Sequence, residues 1–240
     1  MNILTLTTLV ITLSGLEIMK KVDSQPIPQS SISTVKMIIS KGGDTRERKL
    51  IIYTKREGDK RYSATKFLEP ADVKDTQFLQ ISDEKGETNQ WLYLPSLKRS
   101  RRIAGAQKKT SFMGSEITYE DMERKIPEEY NHNIINEDDK IYVIESTPNK
   151  NKDSQYSKAV FYIRKEDLAV IKTELYDKDG KKIKVIENEV KKIENKYNIP
   201  IKTTVKNLEN GNYTEMIVEE IKVDVPVDKK IFSPDFLGQW

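Results

Sequence analysis

The sequence predicts a mainly β fold, one long antiparallel meander, and three observations predict it. From residue 31 to the end the dominant period of apolar and polar side chains is two, which sets successive side chains on opposite faces of a sheet. Turn signals punctuate the apolar runs at Glu57-Gly58-Asp59, Lys85-Gly86, Asp179-Gly180 and Asn210-Gly211, the last being a favoured type I′ hairpin dipeptide. Strands do not alternate with helices, so a parallel nucleotide-binding sheet is not expected. About ten strands in one domain follow from the spacing.

Individual strands read in order. Val35, Met37 and Ile39 alternate with Thr34, Lys36 and Ser40, and Ile201, Thr203 and Val205 alternate with Lys202, Thr204 and Lys206. Such strands have one dry side and one wet side. Leu50-Ile51-Ile52-Tyr53, Ile141-Tyr142-Val143-Ile144 and Ala159-Val160-Phe161-Tyr162-Ile163 are apolar on both faces and are expected to lie centrally, covered on both sides. Gly42-Gly43 lacks the Lys-Ser/Thr ending of a phosphate loop and reads as a turn between the first two strands.

Composition narrows the function. In 240 residues, 36% are apolar and 33% charged, which suits a thin extended sheet with a modest core. The 41 basic and 38 acidic residues nearly cancel, so no general attraction to nucleic acid is expected and any charged partner must meet a local patch. The absence of cysteine excludes disulfides, thiolate metal sites and cysteine nucleophiles. His132 is the lone histidine, in the polar stretch Tyr130-Asn131-His132-Asn133, and reads as a surface or turn residue; histidine triads and multi-histidine metal sites are implausible. No metal or cofactor is expected.

Residues Ile3 to Leu13 form an apolar run of about eleven, the length of a signal-peptide core and too short to span a bilayer. Residues 1–14 therefore read as a leader, although no Lys or Arg precedes the run and Thr12-Leu13-Ser14 only approximates a cleavage pattern; a buried first strand is the alternative. Ser14-Gly15-Leu16-Glu17 matches a capping box, so a short helix is expected to begin there, with Leu16, Met19 and Val22 on its apolar face and Pro26 and Pro28 ending it. Residues 15–240 form the single domain.

The middle breaks the pattern. Trp91-Leu92-Tyr93-Leu94-Pro95 is an aromatic strand ended by proline. Lys98, Arg99, Arg101, Arg102, Lys108 and Lys109 then read as a basic loop, followed by Ser111-Phe112-Met113-Gly114-Ser115 and Glu116-Ile117-Thr118-Tyr119-Glu120-Asp121, with a weak helical period around Tyr119 to Lys125. Phe112 and Met113 must fold onto an apolar surface, either at a cavity rim or as a plug in one end of the core. The basic cluster meets lipid phosphate or an acidic partner, or is a solvated face balanced by Glu116, Glu120, Asp121 and Glu123; nucleic acid suits this charge balance poorly.

These same residues carry a resemblance. Trp91 to Ile103, Ser111 to Ser115 and Thr118 to Asp121 closely resemble the outer-membrane lipoprotein-sorting protein family, a branch of the LolA/LolB-like superfamily, with Trp91, Tyr93, Pro95, Gly114, Ser115, Tyr119, Glu120 and Asp121 as motif positions. Weaker similarity extends from Leu16 through Phe67-Leu68-Glu69-Pro70 to Phe232. The resemblance implies a periplasmic, monomeric carrier whose incomplete, strongly curved β-barrel of about ten to eleven strands is capped by short helices over an apolar cavity for lipoprotein acyl chains or phospholipid. It also implies an inner-membrane RND-type transporter and an outer-membrane acceptor as partners, with an accessory subunit or envelope scaffold at such an exporter as the alternative role.

Within that frame the expected lining comes from the doubly apolar strands and the aromatic segments: Leu50, Ile52, Phe67, Phe78, Leu92, Val143, Phe161 and Ile163, with Phe112 and Met113 at the rim. Strand parity is left open, because both faces of these strands are apolar. Arg99, Arg101 and Arg102 are the expected contacts to headgroup phosphate or an acidic partner. No catalytic residue is assigned. Ser115 lacks the second glycine of a nucleophile elbow, and the carboxylates at 116–123 match no hydrolase template, so an enzyme is not expected.

Overall fold

The structure is a computed structural model, and it describes residues 13–240. Apart from Leu13 and Ser14, the expected leader lies outside the described residues. Helix α1 (Gly15–Asp23) begins as its sequence dictates: Ser14 N–H donates to Glu17 Oε2 at 2.7 Å and Glu17 N–H donates to Ser14 Oγ at 3.3 Å, so each satisfies a backbone donor the helix leaves free. Gly15 is required by contact, since a Cβ there would stand 2.7 Å from the carbonyl oxygen of His132. Among the described residues no helix is long and apolar enough to cross a membrane.

The rest is one antiparallel sheet of 13 strands: β1 (Ser30–Lys41), β2 (Asp44–Glu57), β3 (Lys60–Glu69), β4 (Gln77–Ser82), β5 (Thr88–Leu94), β6 (Arg99–Ile103), β7 (Tyr130–Glu137), β8 (Ile141–Pro148), β9 (Lys158–Arg164), β10 (Val170–Tyr176), β11 (Lys182–Ile193), β12 (Tyr197–Asn207) and β13 (Tyr213–Val223). Their spatial order is β6-β5-β4-β3-β2-β1-β13-β12-β11-β10-β9-β8-β7, a meander in which β1 closes onto β13. The curved sheet stays open, with β6 and β7 as unjoined edges.

The count exceeds the expected ten or eleven because the edges carry no apolar signal. β6 is the supposed basic loop, and its first four residues are exposed; β7 is the polar stretch around His132. A charged or polar edge strand does not alternate in and out of a core, and its charges discourage pairing with other chains. Two further expectations are corrected. β8 and β9, apolar on both faces, lie second and third from an edge: their inner side is covered by α1, and on the outer face of β9 and β10 Lys172 lies over the Tyr162 ring at 4.6 Å and Lys158 over Tyr176 at 4.7 Å. The helical period at Tyr119–Lys125 amounts to a 3-10 turn, Glu120–Met122.

Register settles which side chains share a face, because residues directly opposite in an antiparallel ladder point the same way. Val35 opposes Leu50, Leu50 opposes Phe67, Thr65 opposes Phe78 and Phe78 opposes Leu92. Across the other half, Ile186 opposes Thr173, Thr173 opposes Phe161 and Phe161 opposes Ile144. All of these form the inner face, which α1 and the connection 104–129 cover. The outer face of β2–β5 is sealed by the C-terminal stretch, where Ile231, Phe232 and Leu237 pack on Ala64, Leu79, Trp91 and Tyr93.

Candidate functional site

The inner face is filled at one end and hollow at the other. Over β1–β6, Phe112 inserts between Phe78 (ring centroids 5.1 Å), Phe67 (5.9 Å) and Tyr119 (5.7 Å). Met113 and Gly114 make the turn that aims it, both with positive φ, 50° and 78°. Leu50, Phe67, Phe78 and Leu92 are buried around Phe112, with Ile52 and Met113 packed against them. These residues pack together as a core, and of the two readings of Phe112 and Met113 the plug is the one the packing supports.

Over β7–β11 a cavity of about 360 Å³ remains between the sheet and α1, within the range of small-molecule sites. Met19 and Val22 of α1, Ile126 and Pro127 of the connection, and Phe161, Val170, Leu175 and Ile186 of the sheet give it a mainly apolar wall; Lys125, Tyr130 and His132 add polar groups at its edge. Of the ten residues expected to line a cavity, Phe161 is among those around this one. Ile163 faces inward but is sealed beneath α1 with Ile18 and Ile144. Val143 opposes Tyr162 and therefore faces outward.

The motif residues act as a clamp. Asp121 Oδ2 accepts from Lys184 Nζ at 2.6 Å, and its Oδ1 accepts from the Tyr156 hydroxyl at 2.7 Å. Both charged side chains are nearly inaccessible, at 8% for Lys184 and 6% for Asp121. Burial first, and the adjacent Asp121 second, push the Tyr156 phenol far above its ordinary range, so it remains a donor. Glu120 Oε1 accepts from Ser154 Oγ at 2.5 Å, Glu123 pairs with Lys108, and Glu116 accepts from Asn207 Nδ2 at 3.0 Å. The acidic run is thus engaged in tying the connection to the sheet and to the 149–157 loop. Ser115 Oγ donates to the Phe112 carbonyl at 2.7 Å and closes the plug turn. Trp91 and Tyr93 face outward under the C-terminal stretch, and Pro95 starts the turn that ends β5.

The three arginines do not form one patch. Arg101 opposes Leu92 and Arg99 opposes Leu94, on the inner side of the β6 edge, whereas Arg102 opposes Trp91 on the outer side and donates to Asn89 Oδ1.

His132 corrects its expected place. It sits in β7 on the inner face, half-buried at the cavity edge, with Nδ1 2.6 Å from Ser146 Oγ and Nε2 2.8 Å from the Pro127 carbonyl. A carbonyl only accepts, so Nε2 carries the proton and Nδ1 accepts from the serine hydroxyl. Burial lowers its pKa from the ordinary 6.5. The unfolded chain therefore binds this proton more readily, and stability is lost as pH falls from about 6.5 through the lower folded value. Urea midpoints are expected to drop between pH 7 and pH 5, and His132→Gln is expected to flatten that slope; an unchanged slope would remove His132 as its source.

Sequence reasoning missed Lys125, Tyr130, Tyr156 and Lys184, which belong to polar or irregular stretches and become a site only through the closing of the sheet. A family model described only as an uncharacterized protein matches residues 59–239. No curated protein matches the chain. Among solved structures, a domain described as outer membrane lipoprotein-sorting from Vibrio parahaemolyticus is 31% identical, with a TM-score of 0.85 over 93% of this chain and 97% of that one. A DUF1329 family protein from Desulfovibrio piger is 29% identical, with a TM-score of 0.87 over the same shares, 93% and 97%. A LolA superfamily protein from Nitrosomonas europaea, 19% identical with a TM-score of 0.69 over 94% of this chain and 100% of that one, shares the fold. The paired motifs of residues 91–121, the open curved sheet and the similarity along nearly the whole of the Vibrio domain place this chain in the outer-membrane lipoprotein-sorting protein family, with a LolA-like fold.

Proposed function

We propose that the protein is an exported, periplasmic carrier that shelters acyl chains of lipoproteins or phospholipids in the cavity beneath α1 and passes them across the cell envelope. The observation that carries this reading is the unfilled apolar space between α1 and β8–β11, in a sheet whose other end is packed solid. Each methylene moved there from water gains about 0.8 kcal/mol. Release requires only that a short cover shift, and α1 is a nine-residue helix held largely by Ile18, Met19 and Val22.

Filling the space tests the reading. Ala159 lies on the inner face opposite Ser146 and Leu175, so Ala159→Trp projects an indole into the cavity. Wild-type protein is expected to carry lipid detectable by mass spectrometry of its organic extract and to bind a fluorescent fatty acid; the tryptophan variant is expected to lose at least about tenfold in affinity with its circular dichroism unchanged. Equal binding by both would sink the cavity as the site.

A second reading, an accessory subunit docked to an RND-type exporter, is favoured by the β6 edge. Arg99, Arg101 and Arg102 are exposed there, and none pairs with a carboxylate among the described residues. Replacing all three with Ala is expected to slow delivery of the bound probe to anionic vesicles under the carrier reading, and to abolish capture by an exporter under the docking reading.

A further inference from the structure

Lys125 is out of place in an apolar wall. Its Nζ donates to the Glu120 carbonyl oxygen at 2.7 Å, and it makes no ion pair within 4.0 Å among the described residues. An ammonium has three donors, so the rest of its capacity is open to the cavity it lines. The nearby carboxylates have partners of their own. Asp121 is neutralised by Lys184 at 2.6 Å, Glu123 by Lys108 at 2.5 Å, and Glu120 takes the Ser154 hydroxyl and the Gln155 N–H. Lys158 turns its ammonium to the outer face, where it pairs with Glu145 at 2.7 Å. Burial disfavours the Lys125 ammonium and pushes its pKa below the ordinary 10.5, with Glu120 and Glu123 pulling it back. Tyr130 lines the same cavity, and burial together with Glu129, Glu120 and Glu123 holds its phenol above the ordinary range, so it too is a donor. Lys125, in the connection, and Tyr130, the first residue of β7, flank Ile126 and Pro127 along the same side of the cavity.

Resting on the carrier reading, we infer that this side is a headgroup site, and that the cargo is a single-chain amphiphile whose anionic head, a carboxylate or a phosphate, accepts hydrogen bonds from the Lys125 ammonium and the Tyr130 phenol. The two remaining N–H donors of the Lys125 ammonium and the Tyr130 phenol select a ligand of acceptor oxygens, and charge-assisted bonds in a desolvated site are the strong ones. The cavity, about 360 Å³, stands at the lower end of the small-molecule range, which suits one chain better than a bundle of several. The apolar wall of Phe161, Val170, Leu175 and Ile186 would take the tail beneath Met19 and Val22.

Titration calorimetry of the full chain with dodecanoate, dodecyl phosphate and 1-dodecanol, each below its micelle concentration, separates head from tail. At least one anionic ligand is expected to bind about tenfold or more tighter than dodecanol. Lys125→Met is expected to erase that difference, and Lys125→Arg to restore it. Dodecanoate ahead of dodecyl phosphate assigns a fatty acid; the reverse assigns a phosphate headgroup. Equal binding of dodecanol and both anions by the wild type, which needs no variant to fold, overturns the headgroup site and leaves the acyl cavity standing, as does a gap that survives Lys125→Met. Failure of all three ligands to bind overturns the carrier reading itself.

Discussion

Asp121→Ala is expected to lower the stability of the protein by about 3–5 kcal/mol, read as a fall in the urea midpoint at constant slope. The cause is what remains after the change. Lys184, 8% exposed, loses its carboxylate, and Tyr156 and the Thr118 N–H each lose an acceptor. Desolvation of the abandoned ammonium is the larger part of that cost, so Lys184→Met added to Asp121→Ala is expected to recover most of it. The thiol-free chain makes such a titration simple, since no cysteine can oxidise while it is unfolded. A loss below about 1 kcal/mol for Asp121→Ala would show that water reaches Lys184 and that the clamp is not buried in solution. The fully engaged state of these carboxylates also explains why the most acidic motif of the chain is a structural tie between the connection, β11 and the 149–157 loop.

How much of this was legible in the sequence follows from what each signal measures. Period-two alternation reports a half-buried strand, and it found Val35, Met37 and Ile39 because β1 sits mid-sheet with one dry face. Ser14 and Glu17 were legible because a capping box is a local hydrogen-bond pattern that depends on no distant residue. The strands missed were β6 and β7, whose position at the edges removes the need for alternation. The difference between the expected lining and the hollow under α1 has a related reason. Large apolar side chains such as Leu50, Phe67 and Leu92 mark where apolar surface is buried, and burial by the protein's own Phe112 gives the same sequence signal as burial by a ligand. The true hollow is lined partly by small or polar residues, Ala159, Thr173, Ser146 and Asn188, whose short side chains leave the room. Parity was undetermined from sequence because Val143 and Ile144 are equally apolar; the ladder pairing of Ile144 with Phe161 decided it.

Phe112→Ala is expected to cost about 3–5 kcal/mol, the range for emptying an aromatic site in a packed core. The residue is 4% exposed and its ring meets three other rings at 5.1 to 5.9 Å, an arrangement whose edge and tilt geometry adds to area burial alone. The site has little means of collapsing, because Phe67, Phe78 and Leu92 are fixed by their own ladders and the plug turn is tied down by Ser115 and by the Glu116 N–H donating to Thr214 Oγ1 at 2.9 Å. A rigid wall around a lost ring leaves a dry void, and such voids bind benzene. The variant should therefore show a lower midpoint that benzene raises again, while Ala159→Trp, which fills a space that is already open, should gain nothing from benzene and lose only its acyl ligand. If Phe112→Ala were tolerated within about 1 kcal/mol, the filled end of the sheet would have to be soft enough to repack. The division between a solid half and a receptive half, on which the location of the cargo depends, would then fail.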